Sequence, residues 1–296
     1  MVTSSRPNAE GAIAPATRMG TVRLTVSDLA RSRVFYEETL GLQATELEGG
    51  ELAFGTGAGR PLVELRGDGS APPLNRLATG LFHLAIMHPT RLDLAHALAR
   101  VAETRWPLDG ASDHLVSEAL YLSDPDGNGI EIYRDRPRDE WRRVDGELQM
   151  ATLPLDLRSV ASELDAARGA QGRAPAETTI GHVHLQVSEL EQVESFYAGV
   201  LGFDVMVRGY PGALFVAAGG YHHHLGLNTW QSAGSGPPVP GAVGLRSYEV
   251  LLPDAAELER VTARVSDAGL PVETDYALGG SLVRDPSGNA VLVRTS

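Results

Sequence analysis

The chain has 296 residues, 43% hydrophobic and 21% charged, the balance of a globular protein with room for two ordinary domains. It contains neither cysteine nor lysine, which excludes disulfides, thiolate ligands, cysteine nucleophiles and lysine Schiff bases. A net charge of -13 with no basic run argues against nucleic acid and anionic lipid, and no apolar run approaches the ~18–20 residues of a membrane span, so a cytoplasmic protein handling small molecules is expected.

Residues 1–19 lack the charged start and apolar stretch of a secretory signal and read as a disordered tail. Val22–Leu42 (VRLTVSDLARSRVFYEETLGL) then gives alternating apolar residues, a Ser/Asp helix cap, an amphipathic helix carrying Phe-Tyr and a Leu-Gly stop. Gly80–Arg100 (GLFHLAIMHPTRLDLAHALAR) repeats strand and helix, with Pro89 closing the strand, and the turn Asp124-Pro125-Asp126-Gly127-Asn128 precedes a last strand. Residues 136–178 form a longer linker with a helix expected around Leu155–Arg168. Val183–Phe203 (VHLQVSELEQVESFYAGVLGF) is a near copy of Val22–Leu42, and Gly244–Arg264 matches Gly80–Arg100 with Pro253 in the place of Pro89. The turn Asp285-Pro286-Ser287-Gly288-Asn289 again precedes a final strand.

The chain therefore reads as four modules, at about 20–67, 80–135, 180–230 and 243–296, each a strand, a helix and several strands. Pro- and Gly-rich stretches at 67–80 and 232–241 join partners. In sequence, 20–135 holds the first module pair and 179–296 the second.

This pattern, over nearly the whole chain after residue 19, resembles the vicinal-oxygen-chelate superfamily of glyoxalases, bleomycin-resistance proteins and extradiol dioxygenases. The resemblance implies an α+β fold in which four βαβββ modules form two cup-shaped mixed-sheet units. Three stretches look most like two-domain catechol 2,3-dioxygenases: Gly110–Tyr121 (GASDHLVSEALY), Asp124–Tyr133, and Gly219–Trp230 (GGYHHHLGLNTW).

Strand parity can be read from the residues alone, because alternate side chains point to opposite faces. Val183, Leu185 and Val187 pack under the helix of module three, leaving His182, His184 and Gln186 on the open side. Counting back six residues from Ser27, Pro89, Ser188 and Pro253 lands on Thr21, His83, His182 and Ser247, so the four positions are equivalent and two are histidine. Ile130 and Ile132 flank Glu131, which points into the cup, while its equivalent in module four is Leu292. A lone strand histidine is usually structural, but His83 and His182 share a repeat-equivalent cup position with a carboxylate on the same face. Two histidines and one carboxylate are the facial triad that holds non-haem Fe(II) with open positions. Mn(II) suits the same ligands, and Zn or Ni belongs to a glyoxalase-type reading with a fourth protein ligand.

Two pairings are open. Neighbours in sequence would give each cup a partial set, with Glu64 joining His83 and Glu131. The crossed pairing, two with three and one with four, collects His83, Glu131, His182 and the Tyr221–His224 stretch in one cup and leaves Thr21, Ser247 and Leu292 in a blank one. The crossed pairing is preferred, and it asks the 136–178 linker to span the domains.

Alternation of Leu225 and Leu227 sets His222, His224 and Gly226 on the cup face. Ring-cleaving relatives carry a proton-moving histidine on this strand; parity assigns it to His224, and counting from Gly220 to His223. The resemblance also implies that Tyr121, ten residues before Glu131, hydrogen-bonds substrate oxygen. His184 and His114 are placed on the substrate side, with His114 also readable as a polar turn. The implied activity is extradiol cleavage of a small aromatic diol by dioxygen, giving a muconic semialdehyde. A glyoxalase-type isomerase and a non-catalytic drug-binding resistance protein are the alternatives. A homodimer is left open.

Overall fold

The computed structural model describes residues 11–57, 59–144, 146–167, 172–275 and 277–296. Each module runs strand, helix and three strands. Module one holds β1 (Arg18–Val26), α1 (Leu29–Val34), β2 (Gln43–Glu46), β3 (Leu52–Gly55) and β4 (Val63–Gly67). Module two holds β5 (Gly80–Met87), α2 (Arg91–Glu103), β6 (Gly110–Asp113), β7 (Ser117–Ser123) and β8 (Gly129–Asp135). The linker adds β9 (Arg143–Val144), β10 (Glu147–Leu148), β11 (Leu153–Pro154) and α3 (Leu157–Ala167); the expected helix end at Arg168 lies outside the described residues. Module three holds β12 (Thr179–Gln186), α4 (Leu190–Glu194), β13 (Asp204–Val207), β14 (Ala213–Ala217) and β15 (Leu225–Asn228). Module four holds β16 (Gly244–Leu252), α5 (Ala255–Asp267), β17 (Glu273–Asp275), β18 (Gly280–Arg284) and β19 (Ala290–Thr295).

Sequence caps start the helices as expected. Asp28 accepts from the Ala30 and Arg31 amides, Thr90 and Asp93 form a capping box, and Asp254 accepts from the Glu257 amide. None of the helices among the described residues is long and apolar enough to cross a membrane.

Two mixed sheets result, in the orders β11-β6-β7-β8-β5-β12-β15-β14-β13 and β17-β18-β19-β16-β1-β4-β3-β2. Module two thus shares a sheet with module three through the antiparallel β5–β12 pair, and module one with module four through β1–β16. The crossing between sheets is not made by the 136–178 linker, which joins modules of the same sheet and lays β11 along its edge. The Pro- and Gly-rich segments near 67–80 and 232–241 cross instead, and they bond to each other: the Thr79 amide donates to Gly236 at 3.0 Å and the Val243 amide to Pro72 at 2.9 Å.

Residues 11–19, expected as part of the disordered tail, are held in place. Residues 1–10 lie outside the described residues, but Ile13 is buried, its amide donates to Gly202 at 2.8 Å, and the Ala14 amide donates to Glu257 at 2.9 Å. The apolar side chain anchors the segment, and β1 already begins at Arg18.

Parity places the core. Leu84, Ile86, Ile130, Ile132, Val183 and Leu185 are all at most 2% exposed on the helix side of their sheet, each burial contributing roughly 1.5–3 kcal/mol. Between modules consecutive in sequence, Tyr36 donates to Asp124 at 3.3 Å and Tyr197 to Asp285 at 3.0 Å. The two Asp-Pro turns are thereby tied to the preceding module.

Each ligand-equivalent position follows a bulge. In the β5–β12 ladder His83 faces His184 and Leu81 faces Leu185, so Phe82 is an extra residue; Ile86 faces Ile180 and Ala85 faces His182, so Gly181 is another. In the second sheet Arg246 is extra before Ser247, and one residue of Gly20–Thr21 is extra opposite Glu249. A bulge bends its strand and re-aims the next side chain. Four such kinks, one per repeat, turn the strands around the two cups.

Candidate metal centre

Glu131 on β8 pairs in parallel register with Ala85 on β5, and Ala85 pairs with His182 on β12. The carboxylate and the imidazole thus stand two strands apart and lean toward each other above a methyl group. His83, two residues from Ala85, closes the set. His83 Nε2 lies 2.9 Å, and His182 Nε2 3.1 Å, from the same Glu131 oxygen, Oε2. All three side chains are buried, and among the described residues they alone form a cluster of candidate ligand atoms within 4.8 Å of one another.

The three fit a divalent cation. His83 Nε2, although close to the carboxylate, lacks hydrogen-bond geometry and is left as a buried, unpartnered nitrogen, a cost that a shared ion would remove. Burial pushes the Glu131 carboxyl up, but the charge and hydrogen bond of His182, with His83 close by, outweigh it and hold the group well below the usual carboxylate range. Burial lowers His182, with His83 and His222 adding to the shift and Glu131 opposing it. The donor set is two imidazoles and one carboxylate, the ligand type of non-haem Fe(II) and of Mn(II) sites.

A pocket of about 270 Å³ opens beside this cluster, and His83, Glu131, His114, Tyr121, His184 and His223 all line it. Tyr121 is the cross-strand neighbour of Glu131. Its hydroxyl lies 2.6 Å from His114 Nε2, while His114 Nδ1 lies 2.7 Å from the Ala151 carbonyl. Burial and the adjacent Glu131 raise the Tyr121 phenol well above its ordinary value, so it is a neutral hydroxyl. His184 packs on His83 with ring centres 4.9 Å apart, and burial and the neighbouring histidines hold it well below its ordinary value.

His224, the residue favoured by parity for proton transfer, does not line this pocket. Its Nδ1 accepts the Ala218 amide at 3.1 Å, and its ring lies beside Tyr221 and Phe203. The reason is local. Gly219 and Gly220 both adopt positive φ, at 60° and 68°, and β15 begins only at Leu225, so the alternation of Leu225 and Leu227 cannot be carried back through the turn. His223 enters the pocket instead. Its Nδ1 is 2.8 Å from His222 Nδ1, and His222 Nε2 is 2.8 Å from Asp135 Oδ1. Burial, then the charges of His182 and His222, hold His223 well below its ordinary value, so it starts neutral.

Sequence reasoning missed the rest of the wall. Phe82 enters through its bulge, Met150 to Thr152 come from the linker, and Tyr210, Phe215 and Trp230 come from module three. Thr152 and Tyr210 meet hydroxyl to hydroxyl at 3.0 Å across the mouth. Phe82 carried no sequence cue, since a uniform alternation would bury it with Leu84.

Among the described residues the other cup has no ligand set. Arg23 occupies the position equivalent to His184 and donates to Glu64 at 2.7 Å and to Glu249 at 2.9 Å. Glu64 is therefore an ion-pair partner, far from His83 in topology, and Thr21, Ser247 and Leu292 carry no candidate ligand cluster among the described residues.

Residues 18–132 and 179–293 each match the profile of the Glyoxalase/Bleomycin resistance protein/Dioxygenase superfamily. A Bacillus subtilis (strain 168) protein named catechol-2,3-dioxygenase is 42% identical over 280 residues, covering 93% of this chain and 96% of that one. Among solved structures, one from Bacillus subtilis subsp. subtilis aligns with TM-score 0.65 at 13% identity over 96% of this chain and 86% of its own. Glyoxalase I from Zea mays aligns with TM-score 0.56 at 16% identity over 95% and 92%. At these identities the two structures speak for the fold.

Proposed function

Because the chain belongs to the Glyoxalase/Bleomycin resistance protein/Dioxygenase superfamily, we propose that it is an extradiol dioxygenase cleaving a catechol-type ring with dioxygen, with Fe(II) held by His83, Glu131 and His182. The observation that carries this reading is the convergence of two imidazole nitrogens on one carboxylate oxygen at the end of an apolar pocket. The 42% identical catechol-2,3-dioxygenase supports it. The glyoxalase-type alternative needs a fourth protein ligand, and among the described residues no fourth His or acid joins the cluster.

When bound, the metal supplies a Lewis acid that lowers the pKa of a coordinated oxygen and a meeting point for both reactants. The protein's own groups do the rest. The Ala151 carbonyl can only accept, so His114 Nδ1 donates to it and Nε2 is placed to accept from Tyr121. Tyr121 then turns oxygen lone pairs toward the pocket and holds a substrate hydroxyl by accepting from it. On the other side Asp135 accepts from His222 Nε2, so His222 Nδ1 accepts from His223 Nδ1. That order leaves Nε2 as the basic atom of His223, the group that takes a catechol proton and returns it to the opened ring. Phe82, Phe215 and Trp230 exclude water from the same space.

Oxygen uptake with catechol after anaerobic Fe(II) loading tests the reading. Uptake with a yellow ring-opened product is expected from the native chain and none from His182→Ala. A chain that binds one Fe(II) and consumes no oxygen with any catechol would overturn it.

A further inference from the structure

The second cup keeps the pocket walls of the first and changes their chemistry. The repeats carry Phe82 onto Arg246, His83 onto Ser247, Tyr121 onto Leu282 and His184 onto Arg23. The first residue of each pair lines the pocket beside the metal cluster. The second lines a cavity of about 810 Å³ in the other cup. We propose that this cavity binds a small organic carboxylate with an apolar body, held by Arg23 and Arg246 without a metal.

Charge favours an anion here. Although the chain carries a net charge of -13, the described residues that line the cavity include five arginines, Arg23, Arg66, Arg76, Arg246 and Arg284, against one acid, Asp275. Asp275 is engaged within its own turn, where it accepts the Leu278 amide at 2.9 Å. Three glutamates lie against these arginines without neutralising them. Glu64 and Glu249 serve Arg23, Arg60 and Arg294, while Glu51 alone serves Arg66 and Arg246. Each cluster keeps one positive charge in excess.

Arg23 is the most buried of the five, at 4% exposure. Its Nε and Nη2 hold the two glutamates, but its Nη1 has no hydrogen-bond partner. A stranded donor on a buried guanidinium is costly, and a ligand oxygen would satisfy it. The planar fork of arginine matches a carboxylate. Elsewhere the wall is apolar, with Leu74, Leu245, Leu282 and Pro237 facing the same space. That wall rewards a hydrocarbon body and gives an inorganic oxyanion nothing, and the volume lies within the ~300–1,000 Å³ usual for small-molecule sites.

Calorimetric titration of the full chain with hexanoate, before and after Fe(II) loading, tests the site. Hexanoate should bind alike in both states, and hexanol and inorganic phosphate at least about tenfold more weakly. Arg246→Gln, at a partly exposed position, should weaken hexanoate about tenfold. Arg23→Gln should abolish binding; because it also strands Glu64 and Glu249, circular dichroism checks its fold, and Arg246→Gln decides the matter if Arg23→Gln does not fold. Unchanged affinity in Arg246→Gln overturns the proposal, as does binding that appears only after Fe(II) loading. Phosphate bound more tightly than hexanoate, or a hexanoate Kd above about 10 mM, overturns it as well.

Discussion

Glu131 and His182 make contact across an intervening strand, 3.1 Å apart, because the residue between them in the sheet is Ala85. Neighbouring strands lie ~4.8 Å apart, so the two side chains bridge about twice that spacing over a methyl group. A larger residue at position 85 would fill the point where the ligand atoms converge. Ala85→Leu should therefore abolish metal binding, and His182→Ala should do so by removing a ligand. Elemental analysis of Fe(II)-loaded protein should fall from about one equivalent to near zero in both. Two equivalents in the native chain, or an unaffected His182→Ala, would count against the triad.

The His222–Asp135 contact predicts a graded effect on turnover. His223→Ala should lose about 10²–10⁴-fold in kcat, the range for a missing general base, with metal content retained. Asp135→Asn keeps His223 but no longer fixes the His222 tautomer, so its loss should be smaller and of the same kind. Equal kcat in His223→Ala and native protein would move proton transfer to His184 or Tyr121.

His224 should behave differently. Replacing it by alanine removes the acceptor for the buried Ala218 amide, which costs about 1–3 kcal/mol. Urea unfolding should register that loss, while kcat of the folded variant stays within about threefold of native, since no general acid or base is removed. Loss of metal from His224→Ala would instead make it a fourth ligand and favour the isomerase chemistry.

Acid stability follows from the same residue and from His88. Burial, with cationic neighbours, lowers both to about 3 from an ordinary 6.5. The unfolded chain therefore binds more protons than the folded one between about pH 3 and 6.5, so stability falls as pH drops through that window. At pH 5 each group should have removed roughly 2 kcal/mol relative to pH 7. Metal-free His88→Gln should lose less stability than native between those pH values in urea titrations, and an equal loss would contradict the assignment.

Gly181 gives a paired prediction. A β-carbon there would sit 1.7 Å from the Tyr133 hydroxyl, one residue before His182. Gly181→Ala should cost about 1–3 kcal/mol by overpacking and also impair metal binding. Gly20 is its counterpart in the other cup, where a β-carbon would meet Glu249 at 2.6 Å. Gly20→Ala should lower the Tm comparably and leave metal content unchanged.

How far the sequence could be read depended on regular alternation. It held along β12 from His182 onward and through β8, so His182 and Glu131 were legible, and the repeat offset carried His182 onto His83. It failed where the backbone departs from two-residue periodicity. The Gly219-Gly220 turn exchanged His223 for His224, and the bulge at Phe82 brought a residue of apparent core parity into the pocket. Met150 to Thr152 carry no periodic pattern, and only the pairing of β11 with β6 brings that stretch to the site. The crossed pairing was suggested by ligand complementarity, but the segment credited with the crossing was wrong, because a longer linker is not needed between modules that share a sheet.

That arrangement has a consequence for synthesis on the ribosome. Modules two and three are contiguous in the chain, so the ligand-bearing sheet can close as soon as residue 228 has emerged. Module one, made first, presents β1 without its partner until β16 and the rest of module four follow. At about 5–20 residues per second, it waits for tens of seconds with an unpaired strand edge. The early-born module is thus the aggregation-exposed part of the nascent chain until β16 pairs with β1.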